Sequence, residues 1–140
     1  MKTYLTVDGG CRNNGNPFAK AYGSARIQIY LTPDDLARQD PVIDKLLTSE
    51  FPDLHTNNTA EIRALRMGLE WLLHGHNFVT NEVVIQTDSA NLYGWIAANW
   101  KRNNPDCRRE LAEVDRLLQY FSNCHIIKVP RAEIVKLLGH

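Results

Sequence analysis

The sequence has little that would mark it for a membrane, a disulfide framework or a polyanion. No apolar run approaches the ~18 residues of a membrane span, so no membrane partner is expected. Cysteine is scarce: Cys11, Cys107 and Cys124 are odd in number and widely spaced, with no Cys-x-x-Cys pair among them. That argues against both a disulfide framework and a cysteine zinc site, and favours a reducing compartment. Net charge is also missing, since 16 Lys plus Arg balance 16 Asp plus Glu, and composition therefore gives no general attraction to nucleic acid. Two local exceptions are the basic stretch holding Lys101, Arg102, Arg108 and Arg109 and the acid-rich stretch from Asp34 to Asp53; each is also explained by a solvated loop. The opening Met-Lys-Thr-Tyr-Leu-Thr-Val-Asp turns acidic too soon for a signal peptide, so a cytoplasmic protein is expected. Repeats, linkers and low-complexity segments are lacking as well, and the 140 residues are expected to form a single domain, residues 1–140. At this length folding buries roughly two-thirds of the chain's surface, enough for a core without staples.

What is present reads as alternating strands and helices. Thr3 to Asp8 alternates with β-branched and aromatic residues and predicts a strand ending at Asp8, followed by a Gly/Asn/Pro-rich connection from Gly9 to Pro17. Tyr22 to Leu31 predicts a second strand with Ala25, Ile27 and Ile29 on one face, antiparallel to the first. Thr32-Pro33-Asp34-Asp35 reads as a helix or turn start, and a third strand is expected over Leu47 to His55. Asn57-Asn58-Thr59 offers caps for a helix with Ile62, Leu65, Leu69 and Leu72 or Leu73 at helical spacing, with Glu61 in its first turn and an end near Gly75. His74 and His76 close that helix, where cations suit the dipole. Glu82 to Thr87 predicts a strand leading to Asp88, and Ser89 caps a helix carrying Leu92, Trp95, Ile96 and Trp100. Pro105 breaks the chain before a helix marked by Leu111, Val114, Leu117 and Leu118; Cys124 to Val129 then forms a last strand before Pro130 and a short helical tail. This order implies a mixed α/β sheet flanked by helices, with long crossovers between parallel strands.

Asp8 and Asp88 at strand ends and Glu61 in a helix form a set that a sheet edge would bring together. Oxygen ligands of this kind suit a hard divalent cation, magnesium first, since close carboxylates otherwise repel one another. Taken singly, each acid is equally a turn, cap or helix-dipole residue. Together with their neighbours they carry more. Thr6-Val7-Asp8-Gly9-Gly10, Gly15-Asn16-Pro17, Tyr22-Gly23, Thr56-Asn57-Asn58-Thr59-Ala60-Glu61 and Thr87-Asp88-Ser89 occur in that order. This series resembles type 1 ribonuclease H from Met1 to about Trp100, and Lys128-Val129-Pro130-Arg131 resembles the exit of the family's last strand.

The resemblance implies a ribonuclease H-like α/β fold, a five-stranded mixed sheet with its first three strands antiparallel, flanked by helices. It implies an endonuclease that hydrolyses the RNA strand of an RNA–DNA hybrid, leaving 5′-phosphate and 3′-hydroxyl ends; separately, a monomer is expected. Asp8, Glu61 and Asp88 match the metal ligands for two Mg2+ ions, with Mn2+ a possible substitute. Backbone groups of Gly9, Gly10 and Cys11, with Asn16, Asn57, Asn58 and Ser89, match positions that read the 2′-hydroxyl; Trp100 and Lys101 match the element that meets the DNA strand. The family's basic protrusion is absent, which implies fewer phosphate contacts and a shallower salt dependence. The family's fourth acid has its register near Leu138, and His140 is the nearest candidate ligand, as in Argonaute-like relatives that complete three carboxylates with a histidine; the C-terminal carboxylate is an alternative. Two other readings compete: a non-catalytic nucleic-acid-binding domain of the same fold, and a DNA-directed nuclease such as a junction resolvase.

Overall fold

In a computed structural model, residues 1–75 and 82–139 are described. The elements in chain order are β1 (Lys2–Arg12), β2 (Lys20–Tyr30), α1 (Pro33–Ala37), β3 (Ile43–Phe51), α2 (Asn57–Glu70) continuing into a π-helical turn (Trp71–Gly75), β4 (Glu82–Thr87), α3 (Ala90–Ala97), α4 (Pro105–Leu118), β5 (Asn123–Lys128) and α5 (Arg131–Leu138). The five strands form one sheet in the order β3-β2-β1-β4-β5. β1 pairs antiparallel with β2, and β2 with β3; β4 runs parallel to both β1 and β5. This is the mixed sheet expected from the sequence. No helix of the described residues is long and apolar enough to cross a membrane.

The core lies on one face of the sheet. Leu5 and Val7 of β1, Ala25, Ile27 and Ile29 of β2, and Val83 and Ile85 of β4 are all fully buried there. They pack against Ile62, Leu65 and Leu69 of α2 and Leu111, Val114 and Leu117 of α4. α2 and α4 are also tied electrostatically. Arg63 donates to both oxygens of the buried Glu110 at 2.6 and 2.9 Å and reaches Asp53 at 2.8 Å. The opposite face carries α5, whose Leu137 carbonyl accepts a 2.8 Å hydrogen bond from Arg26 of β2.

Several boundaries differ from the sequence reading, each for a physical reason. β1 does not end at Asp8; Gly9 and Gly10 stay in the ladder opposite Gly23 and Tyr22, and the strand runs on to Arg12. β3 lies four residues earlier than expected, so Leu54 and His55 follow it instead of belonging to it. Thr56, not Asn57, Asn58 or Thr59, caps α2 by accepting from the Thr59 amide, and this moves Glu61 out of the first turn into the second. α3 ends at Ala97, so Trp100 lies beyond the helix. Pro105 opens α4 instead of breaking the chain, at a position where proline's missing N–H costs nothing. His76 lies outside the described residues.

Candidate active site

The sheet topology brings the three acids together. β1 and β4 run parallel with Thr6 opposite Gln86, and the Thr6 hydroxyl donates to Gln86 Oε1 at 2.9 Å. Two residues further along each chain stand Asp8 and Asp88, side by side at the same end of the sheet. Glu61 arrives from α2 because the helix backbone sits almost on β1. A Cβ placed on Gly9 would lie 2.5 Å from Ala60 C and Glu61 N, closer than any real side chain could approach. Glycine at this position is therefore what lets the second turn of α2 deliver Glu61 beside Asp8. Carboxylate oxygens of Asp8, Glu61 and Asp88 all lie within 4.8 Å of one another.

Asp8 is only 6% exposed, and Glu61 is half-buried. Burial pushes the Glu61 carboxyl up to about 7; the charges of Asp8 and Asp88 add to this, and a hydrogen bond from Ser89 opposes it. A guanidinium partly offsets the crowding of negative charge. Arg131, the first residue of α5, donates from Nη1 to Asp8 Oδ2 at 2.8 Å and to Asp88 Oδ2 at 3.2 Å. It reaches them because β5 is parallel to β4 and exits at the same end, with the Val129 amide bonded to the Thr87 carbonyl at 2.8 Å. Two carboxylates bridged by one cation, with a third raised toward neutrality beside them, are the donor set and charge that a hard divalent cation fits.

Arg131 was missed as a site residue in the sequence. Its signal was available: the strand exit Val129-Pro130-Arg131 follows a strand parallel to the one that ends before Asp88. The fourth-ligand position is different. Leu138, at the expected register, is buried and apolar, Glu133 is exposed in the first turn of α5, and His140 lies outside the described residues.

The residues matched to 2′-hydroxyl recognition each have a structural role. Asn16 Oδ1 accepts from the Phe18 amide at 2.8 Å, and Ser89 Oγ caps α3 by accepting from Leu92 at 3.0 Å. Asn58 Oδ1 accepts from Asn91 at 3.3 Å, and the Asn57 amide donates to Asn14 Oδ1 at 2.7 Å. Cys11 packs at the edge of the small cluster formed by Ala21, Phe51, Leu54 and Ala60. Trp100 is 48% exposed and lies flat on α3: a Cβ on Gly94 would stand 2.1 Å from its ring. Lys101 is exposed beside it, its carbonyl accepting from Trp95 Nε1 at 3.3 Å. The rest of the basic stretch is engaged within the protein. Arg102 pairs with Asp115 and donates to the Trp95 carbonyl, Arg109 pairs with Asp106 at 3.1 Å, and Arg108 donates to the Asn103 carbonyl.

The RNase H family model matches residues 2–140. No curated protein matches the chain. Among solved structures, RNase H1 from the halophilic archaeon Halobacterium salinarum NRC-1 is 25% identical, with a TM-score of 0.76 over 96% of this chain and 89% of its own. The N-terminal RNase H domain of Rv2228c from Mycobacterium tuberculosis, solved as a fusion with maltose binding protein, is 23% identical with a TM-score of 0.77, covering 99% and 91%. LC11-RNase H1, solved in complex with an RNA/DNA hybrid, shares the fold at 21% identity and a TM-score of 0.72, covering 96% and 89%.

Proposed function

The chain belongs to the ribonuclease H family of enzymes, and from that premise we propose that it hydrolyses the RNA strand of RNA–DNA hybrids with divalent cations, magnesium first. The observation that carries this reading is the cluster of Asp8, Glu61 and Asp88, three carboxylates within 4.8 Å of one another at one end of the sheet's central strands. These side chains would hold the cations, which when bound supply an activated water and charge stabilisation for in-line attack at phosphorus. Asp8 and Asp88 contribute fixed negative charge from two adjacent strands. Glu61 would add a third carboxylate oxygen from α2. Arg131 bridges the two aspartates at 2.8 and 3.2 Å and so supplies a counter-charge to the oxygens that would hold a cation. No protein nucleophile is needed, and the products carry 5′-phosphate and 3′-hydroxyl ends. Gly9 to Cys11, Asn16, Asn57, Asn58 and Ser89 are the groups this reading assigns to the 2′-hydroxyl, which DNA lacks.

The test is cleavage of an end-labelled hybrid in magnesium, run beside duplex RNA and duplex DNA. Hybrid-selective cutting is the expected result; cutting of duplex DNA alone, or of nothing in either magnesium or manganese, overturns the proposal. Asp88→Asn should reduce cleavage by at least a hundredfold while leaving hybrid binding within a few-fold of the parent, as read by fluorescence anisotropy.

A further inference from the structure

The face of β1 that carries Asp8 continues away from the acids as an ordered strip. Side chains alternate along a strand, so Asp8, Gly10 and Arg12 share one face, and their antiparallel partners Ser24, Tyr22 and Lys20 share it with them. Four residues at about 3.4 Å each put Arg12 about 14 Å from Asp8 along the strand. Gly10 forms the floor between them. A Cβ there would lie 2.4 Å from the Tyr22 hydroxyl oxygen, so the Tyr22 ring leans from β2 across β1, and it remains 41% exposed.

At the far end of the strip Arg12 and Lys20 face each other directly. Like charges in opposed positions destabilise an antiparallel pair, and both residues are exposed. Among the described residues, no ion pair includes either one. With Ala21, Tyr22 and Glu50 they line a depression of about 280 Å³. Glu50 is the only acid there, so this patch is net positive in a chain whose total charge is zero. Its position relative to the carboxylates is fixed. The loop after Arg12 is fastened to the start of α2 by the Gly15 amide on the His55 carbonyl and by Asn14 Oδ1 on the Asn57 amide, both 2.7 Å.

We propose that Arg12 and Lys20 form a phosphate-binding subsite for the strand being cut, a few nucleotides from the scissile phosphate. The inference rests on the hybrid-cleaving reading above. Two opposed cations repel until an anion lies between them, and a phosphodiester satisfies both at once. The strand served is the RNA, because the strip leaves the metal-binding end on the same strand and the same face as Asp8. Tyr22 borders the nucleotide in between.

The test is steady-state cleavage of a hybrid by Arg12→Ala combined with Lys20→Ala, with direct binding measured by anisotropy in an Asp88→Asn background. The expected result is a rise in KM and in Kd of about three- to tenfold with kcat within twofold of the parent, and a slope of log affinity against log salt that flattens by about 2. Arg12→Lys with Lys20→Arg should keep both affinity and slope, and the remote Arg116→Ala should change neither. Because the opposed pair is repulsive, the double alanine variant should melt no lower than the parent. Trimming the RNA strand from one end, but not the other, should weaken the parent as much as the double substitution does and leave the variant indifferent. Unchanged KM and slope in a variant that still cuts hybrids overturns the subsite and leaves the activity standing. Equal losses on trimming in parent and variant also overturn it. A parent that cuts no hybrid overturns the functional reading, and the ligand of the subsite falls with it.

Discussion

Burial raises the Glu61 carboxyl well above the usual carboxylate range, and this has a thermodynamic consequence in the absence of metal. Its carboxyl titrates at about 7 in the folded protein, above the 4.5 of an unperturbed glutamate. The folded state therefore binds a proton more tightly than the unfolded chain. Its contribution to stability is complete below about pH 4.5 and is lost as pH rises through 7, an amount on the order of 1–3 kcal/mol. Urea unfolding in chelator should show this decline between pH 5 and 8, and Glu61→Gln should flatten it. Arg131 gives a second expectation. Removing the guanidinium leaves Asp8 and Asp88 without their bridging cation and removes a positive charge that a metal must displace. Arg131→Ala should bind magnesium several-fold more tightly by calorimetry and melt lower in chelator. The acids themselves were legible in the sequence because each sits in a distinctive run of neighbours. Arg131 was not, because its role depends on which strands are adjacent, and adjacency is not written locally.

Packing between elements explains where the sequence reading of secondary structure went astray. Gly9-Gly10 reads as a strand terminator, since glycine is weak in strands and common in turns. Here both glycines answer close approaches, of α2 on one face and of Tyr22 on the other, and the strand passes through them. Gly9→Ala should push α2 off the sheet, costing about 1–3 kcal/mol by overpacking. It should also lower kcat, because Glu61 moves with the helix; normal stability with normal turnover would show that α2 adjusts without effect. The same logic covers α2's start. Asn57, Asn58 and Thr59 are all good capping types, but the extended backbone at Thr56 makes that residue the acceptor for the Thr59 amide. Strands β2 and β4 were legible from their apolar pattern, and helices α4 and α5 from helical spacing just after Pro105 and Pro130. β3 was displaced because it is an exposed edge strand with few buried side chains, so burial leaves little pattern in its sequence.

At the scale of the whole molecule, a net charge of zero makes any attraction to nucleic acid local. Of the basic stretch after α3, Lys101 is exposed and Arg109 is held only by an exposed ion pair with Asp106, while Arg102 is committed to Asp115. Lys101→Ala combined with Arg109→Ala should therefore flatten the salt slope of hybrid binding by about 1–2; an identical slope would return this stretch to the solvated surface. The arginine bridging Asp8 and Asp88 has a further consequence, for how such a protein fares in a cell. A fold that carries its own counter-charge does not wait for a divalent ion to become complete: newly made chains are expected to fold in chelator, and a shortage of any such ion should leave them intact.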